Sequence, residues 1–384
     1  MAERVAIIGV AQTKYEGKSS DALSDIIFDV SSRAIEDAGL NIKDIGSITL
    51  AAHDMVDGRA ITSMLTAAPA GAHLKDEIRL AEDGSFAVAL ACLRVLSGEF
   101  TNSLVVGWSK CSECTGDTMN TIANLCYDPF FYRPSGLNDV ISYAIQAQQY
   151  MVKYDITCEQ AAEVVLKNRA NAQNNELAHL KSAVTVRDIL ESQPVSTPLK
   201  KLDLPPWSDG ACAMVISNAS TAKKTKKKCA WVKGFGWSND TYFSGEKDLS
   251  KLGSLYDAAA RAYKMAAVTN PAKEIDVAEI HDITSFHELM EYEALGFCPE
   301  GMGGKYILSG ATSMEGTIPV NPSGGCLSTN PYTAVGMIRV AEAALQVMGR
   351  AGEHQVPGAK TALAHGISGL SAQNNCVFIL NKNL

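Results

Sequence analysis

The segment Ala81-Glu82-Asp83-Gly84-Ser85-Phe86-Ala87-Val88-Ala89-Leu90-Ala91-Cys92 holds the main clue to the architecture of this chain. A glycine opens a helical run that ends at Gly98, and Ala87, Ala89 and Ala91 keep the helix slim enough for other elements to approach it closely. Asn321-Pro322-Ser323-Gly324-Gly325 stands before a second long helix, residues 333–348, that stops at Gly349. The same device used twice points to an internal duplication of one α/β unit.

Working outward from the first helix, residues 5–10 and 45–51 read as strands, 20–37 as an amphipathic helix and 103–107 as a further strand. This alternation predicts a mostly parallel α/β sheet. The rhythm breaks at about 114–198, where aromatics crowd Tyr127 to Tyr132 and helices are expected at 140–154 and 158–173. A strand returns at 211–217. The lysine-rich run 222–228 reads as a solvated connector between halves. The expected domains are therefore 1–221, with an insertion at about 114–198, and 229–384. In the second half, strands are expected at 229–235, 277–280, 360–365 and 376–380, with a helix at 253–267.

Composition narrows the function. The chain has 384 residues and a net charge of -8, which argues against nucleic-acid binding. No apolar run nears the roughly 18 residues of a membrane span. The N-terminal apolar run is short and continues into patterned sequence, so it reads as a first strand rather than a signal peptide. Ten cysteines without a secretion signal imply reduced thiols in a cytoplasmic protein. Cys111 and Cys114 have the spacing of a zinc half-site, but no second pair accompanies them, and no metal is expected.

The chain resembles the thiolase superfamily, nearest its sterol-carrier and archaeal types. The resemblance runs nearly end to end. It rests on Ala6-Ile7-Ile8-Gly9-Val10-Ala11-Gln12-Thr13, Asp128-Pro129, Arg133-Pro134-Ser135-Gly136-Leu137, Ser208-Asp209-Gly210-Ala211, Glu279-Ile280-His281-Asp282, Asn321-Pro322-Ser323-Gly324-Gly325 and Ala364-His365-Gly366. It implies a five-layer α-β-α-β-α sandwich of two duplicated halves with an inserted loop domain, a homodimer through the first half, and coenzyme A as part of the substrate. It also implies a small partner subunit built of a zinc ribbon and an OB-fold.

Two departures bear on the chemistry. Where the family pattern Cys-Ala-Ser-Gly carries its nucleophilic thiol at a helix N-terminus, this chain has Ala81-Glu82-Asp83-Gly84, and alanine forms no acyl-enzyme. Where a Gly-His-Pro motif carries the activating histidine, this chain has Thr329-Asn330-Pro331, and an amide accepts no proton. Loss of the thiol together with its base is chemically coherent. His281 remains at the His-Asp motif, and His365 matches the histidine of the C-terminal loop. Tyr332 opens the second-half helix, as in thiolase-like aldolases that lack the cysteine.

The site expected from the resemblance is therefore His281, Tyr332, Asn330 and His365. It would perform retro-aldol or Claisen-type chemistry on an acyl-CoA, with Tyr332 and His281 handling a β-hydroxyl proton and Asn330 and His281 holding the thioester oxygen. A thiolase using a displaced cysteine, with Cys326 as the candidate, and a non-catalytic subunit are the alternatives. Simpler roles stand beside these. Tyr332 can be packing at a helix start, Asp83 reads as a helix N-cap before it reads as a base, and His365 can be structural. Glu82 is ambiguous, and His287 and His354 read as surface residues. Coenzyme A contacts carry no motif; Lys200, Lys201 and Arg133 are candidates by position alone. Tyr127, Phe130, Phe131 and Tyr132 hint at a bulky acyl group but fit a stabilising role in the insertion better.

Overall fold

A computed structural model of the chain describes residues 4–57, 61–114, 121–122, 124–125, 127–225 and 227–384. The start of the expected insertion, and Cys126 within it, lie outside these residues. Beside a small hairpin, Pro194–Ser196 with Leu199–Lys200, the nine strands of the main sheet are β1 (Val5–Gln12), β2 (Ser47–Ala51), β3 (Asp76–Leu80), β4 (Asn102–Ser109), β5 (Gly210–Asn218), β6 (Ala230–Asn239), β7 (Val277–Glu279), β8 (Thr361–Ser368) and β9 (Asn374–Asn381). They form one sheet in the order β3-β2-β4-β5-β1-β6-β9-β8-β7. Read from the central β1–β6 seam, each half runs first strand, last strand, next-to-last strand, second strand. The duplication anticipated from the paired glycine devices is thus written in the strand order, with β3 as the extra strand of the first half.

The expectation of a mostly parallel sheet is corrected. Only the β2–β3, β2–β4 and β7–β8 pairs are parallel, and the other five neighbour pairs are antiparallel. The last strands, β5 and β9, return beside the first strand of each half, and an antiparallel neighbour needs no helical crossover.

Helix character sorts the layers. Helix α1 (Leu23–Asp37) buries one stripe, including Ile26, Ile27, Val30 and Ala34, and covers the outer face of the first half. Helix α2 (Gly84–Leu96) is apolar nearly all round, and the later helix α7 (Val335–Met348) is buried nearly all round, Arg339, Glu342 and Gln346 included. They form the central layer, packed against both halves of the sheet. Helices α3 (Asp139–Tyr154) and α4 (Cys158–Ala172) of the insertion join α5 (Gly253–Ala266) and α6 (Ser285–Ala294) on the outer face of the second half. The result is the expected α-β-α-β-α sandwich.

The insertion thereby reaches the second half's loops. From α4, the Asn168 amide donates to Asp282 at 2.9 Å and the Asn171 amide to the Asn321 carbonyl at 3.0 Å. Just beyond, the Asn175 amide donates to the Ser323 carbonyl at 3.0 Å. These bonds pin the glycine loop that leads towards α7.

Candidate active site

The N-termini of α2 and α7 converge, and one side chain joins them. Asp83, the N-cap of α2, accepts the Ser85 N–H at 2.9 Å and the Ser85 hydroxyl at 2.5 Å on Oδ1. Its Oδ2 accepts the Gly336 N–H of α7 at 2.8 Å. A Cβ at Gly336 would fall 1.8 Å from Asp83 Oδ1, and one at Gly366 would fall 2.3 Å from it, so the carboxylate lies in a cradle that only glycine allows. Burial pushes its pKa up to about 6, opposed by these hydrogen bonds. The N-cap role read from the sequence is correct. Its second helix and its nearness to His281 are not visible in sequence, because both come from elements more than 190 residues away.

His281 follows β7. Its Nδ1 accepts the Ile367 N–H at 3.1 Å, and the Asp83 Oδ2 lies 3.9 Å from that same nitrogen. The accepting Nδ1 leaves the ring proton on Nε2, which has no hydrogen-bond partner among the described residues. Burial, with His365 and Arg339 nearby, holds the His281 pKa well below the usual histidine value. The ring is therefore neutral and offers an N–H donor.

His365 on β8 is fully buried. Its Nε2 donates to the Asn375 Oδ1 at 2.8 Å, and its Nδ1, with no hydrogen-bond partner among the described residues, lies 4.0 Å from Glu291. Burial lowers its pKa to about 4. Asn330 is bonded through its backbone to Ser208, whose hydroxyl also meets His179 at 2.9 Å. Its side-chain amide has no hydrogen bond among the described residues. Tyr332 has a φ of 20°, a sparsely populated backbone for a tyrosine. Its ring lies 5.6 Å from Trp207 and packs against Val56, Cys111 and Ile122. The fold thus brings His281 and His365 close to one another. Asn330 and Tyr332 sit together on the segment entering α7.

Beneath the site Asp282 fastens the glycine loop, accepting the Cys326 N–H at 2.5 Å and the Leu327 N–H at 3.1 Å. Burial and the neighbouring Glu288 raise its pKa to about 7. Cys326 is sealed, and burial lifts its thiol well above the ordinary value. Position 81 is exposed. Glu82 accepts the Ser368 hydroxyl. Arg133 spends its guanidinium on backbone carbonyls of its own loop, Lys200 donates to the Leu190 carbonyl, and Lys201 is exposed. Among the aromatics, Phe130 and Phe131 are exposed, while Tyr132 links the insertion to Tyr242 and Phe243 beyond β6. Among the described residues no group of three or more histidine, cysteine or acidic side chains is placed to hold a metal, and no helix is long and apolar enough to cross a membrane.

Two histidines expected at the surface are core residues. His287 is fully buried between Thr284 and Gln146, and the His354 Nε2–H donates to the Glu342 carboxylate at 2.9 Å inside the protein. Each has a buried polar partner, Gln146 of the insertion for His287 and Glu342 of α7 for His354, which offsets the cost of burial.

The two converging central helices within a duplicated sandwich define a thiolase-type fold. Residues 237–382 match the family described as thiolase C-terminal domain-like. The chain is 32% identical over 373 residues to an acetyl-CoA acetyltransferase of Methanothermobacter thermautotrophicus, covering 95% of this chain and 96% of that one. It is 30% identical over 230 residues to the benzoylsuccinyl-CoA thiolase subunit BbsB of Thauera aromatica, 59% of each chain. Among solved structures, the Ltp2-ChsH2(DUF35) aldolase superposes with a TM-score of 0.84 at 22% identity, covering 98% of this chain and 97% of that one, a likeness of fold. The chain belongs to the thiolase superfamily.

Proposed function

We propose that this chain is an enzyme that breaks or makes a carbon–carbon bond in an acyl-CoA by retro-aldol or Claisen-type chemistry, without an acylated cysteine. One observation carries the reading: alanine stands at position 81, and burial raises each of the nine described thiols above its ordinary value. None is poised as a thiolate. The names of the two sequence relatives, an acetyl-CoA acetyltransferase and a benzoylsuccinyl-CoA thiolase subunit, support a coenzyme A thioester as substrate.

In the cleavage direction a 3-hydroxyacyl-CoA loses its hydroxyl proton. The Cα–Cβ bond breaks, a carbonyl product leaves, and the electron pair passes to the thioester enolate, which is then protonated at Cα. The His281 Nε2–H and the Asn330 amide hold the thioester oxygen as negative charge develops. Tyr332, on its strained backbone at the entry of α7, handles the hydroxyl proton. His365, its Nε2–H fixed on Asn375, backs His281 from the core. Coenzyme A enters as part of the substrate.

A homodimer through the first half fits the edge strand β3 and the exposed Met64, Leu74 and Ile78 near it. A small zinc-ribbon and OB-fold partner belongs to the same reading, and the aldolase relative is itself named with a second component, ChsH2(DUF35). The cytoplasm is the setting in keeping with nine free cysteines among the described residues. The test is a panel of linear and aromatic 3-hydroxyacyl-CoAs incubated with the protein. A shorter acyl-CoA and a matching aldehyde or ketone, formed in equal amounts, support the reading. Thiolysis of 3-ketoacyl-CoAs by free coenzyme A, with no cleavage of the hydroxy compounds, overturns it.

A further inference from the structure

In a helix-terminus cysteine enzyme, the positive ends of the helices lower the pKa of the thiol. Here a different anion already sits at those ends. Asp83 accepts a first-turn N–H from each of two long helices, α2 and α7, and is closed in by Gly336 and Gly366. It lies two residues beyond the exposed Ala81, where the family pattern has a neutral serine.

We propose that the Asp83 carboxylate is the resident anion of the two helix ends and the positioning residue of the site, so that position 81 no longer supports a thiolate. Charge and geometry both carry this. An anion at position 81 would now face a carboxylate in place of uncompensated N–H groups. The same carboxylate stands 3.9 Å from His281 Nδ1, on the side of the ring opposite its Nε2–H. The other titratable groups near Asp83 do not supply a competing cation. They are Glu82 on its own segment, Cys376 on β9 and Cys326 in the glycine loop. The assignment explains why alanine and aspartate occur together. Replacing only the alanine would restore a thiol without restoring its acidity.

This inference rests on the proposed cysteine-free chemistry, but it is tested without turnover. The pH dependence of iodoacetamide alkylation is measured for the thiol introduced by Ala81→Cys, alone and combined with Asp83→Ser or Asp83→Asn, with labelling located by peptide mass spectrometry. The single variant is expected to titrate at or above the ordinary value of about 8.5. Either double variant should titrate about one unit lower, roughly a tenfold gain in thiolate at neutral pH. Should both double variants fail to fold, the single variant still decides: a value clearly below 8 overturns the proposal. Equal values in single and double variants overturn it as well. In either event cleavage of 3-hydroxyacyl-CoAs by the wild type is unaffected, so the two readings fail separately.

Discussion

His281 Nδ1 accepts the backbone N–H of Ile367 at 3.1 Å, and this one bond fixes what the histidine can do. With Nδ1 committed as an acceptor, the ring's proton is on Nε2 and the side chain enters the reaction as a donor. His281→Ala is expected to lower kcat by about 10²–10³-fold with little change in KM, the usual effect of losing one oxyanion donor. His281→Gln keeps an N–H and should recover part of that loss. Equal activity in the two variants, or a change confined to KM, would contradict the donor role.

Tyr332 combines a left-handed backbone with a largely apolar seat beside Trp207, Val56 and Cys111. If its hydroxyl moves the substrate proton, Tyr332→Phe removes about 10²-fold or more of kcat. The ring's packing is untouched, so the melting temperature should stay within a few degrees. A variant with full activity assigns Tyr332 to packing alone.

Glu291 is fully buried on α6, and neither of its oxygens has a hydrogen-bond partner among the described residues. Burial, with Asp282 and Glu288 nearby, holds its pKa well above the ordinary value. The native state therefore keeps a proton that the unfolded chain releases above about pH 4.3, so this residue costs more stability as pH rises. Glu291→Leu relieves an unsatisfied polar group and should stabilise the fold by about 1–3 kcal/mol. Its advantage in thermal melts should be larger at pH 8 than at pH 5. A smaller gain at pH 8, or a loss at both, would contradict this account.

Arg339 is buried in α7, donating to Glu279 at 2.8 Å and to Ser323 at 2.7 Å. The pair couples the central helix to β7 and the glycine loop. Arg339→Met strands a buried carboxylate and should cost about 3–5 kcal/mol in chemical denaturation. Adding Glu279→Gln should return part of that loss. A double variant as unstable as the sum of the two single changes would refute the coupling.

Much of this was legible in the sequence for a physical reason. Strands β1 and β4 are buried on both faces and carry apolar cores, and α2 betrays a central position by lacking a polar face, whereas α7 hides a stripe of Arg339, Glu342 and Gln346 that looks like a solvent face. Strand β3 escaped notice because Asp76-Glu77-Ile78-Arg79-Leu80 is an edge, where charge is tolerated. Helix α6 escaped because Glu288, Glu291 and His287 look like a solvent face, whereas the insertion covers them, with Asn168 and Lys167 bonding Glu288 and Gln146 bonding His287. At the site, sequence located Ala81, Asn330 and His281 but ranked Asp83 as a simple cap. The second helix it holds, and the glycines that enclose it, belong to tertiary packing that no local pattern records.

The central claim, carbon–carbon chemistry without an acylated thiol, is tested most directly by acid-quenched intact-mass measurement of the wild-type protein during turnover of a cleaved 3-hydroxyacyl-CoA. The account predicts the unmodified protein mass throughout, while the shorter acyl-CoA and carbonyl product accumulate. A protein species heavier by the acyl group, mapping to Cys326 or any other cysteine and formed at the rate of turnover, would contradict it.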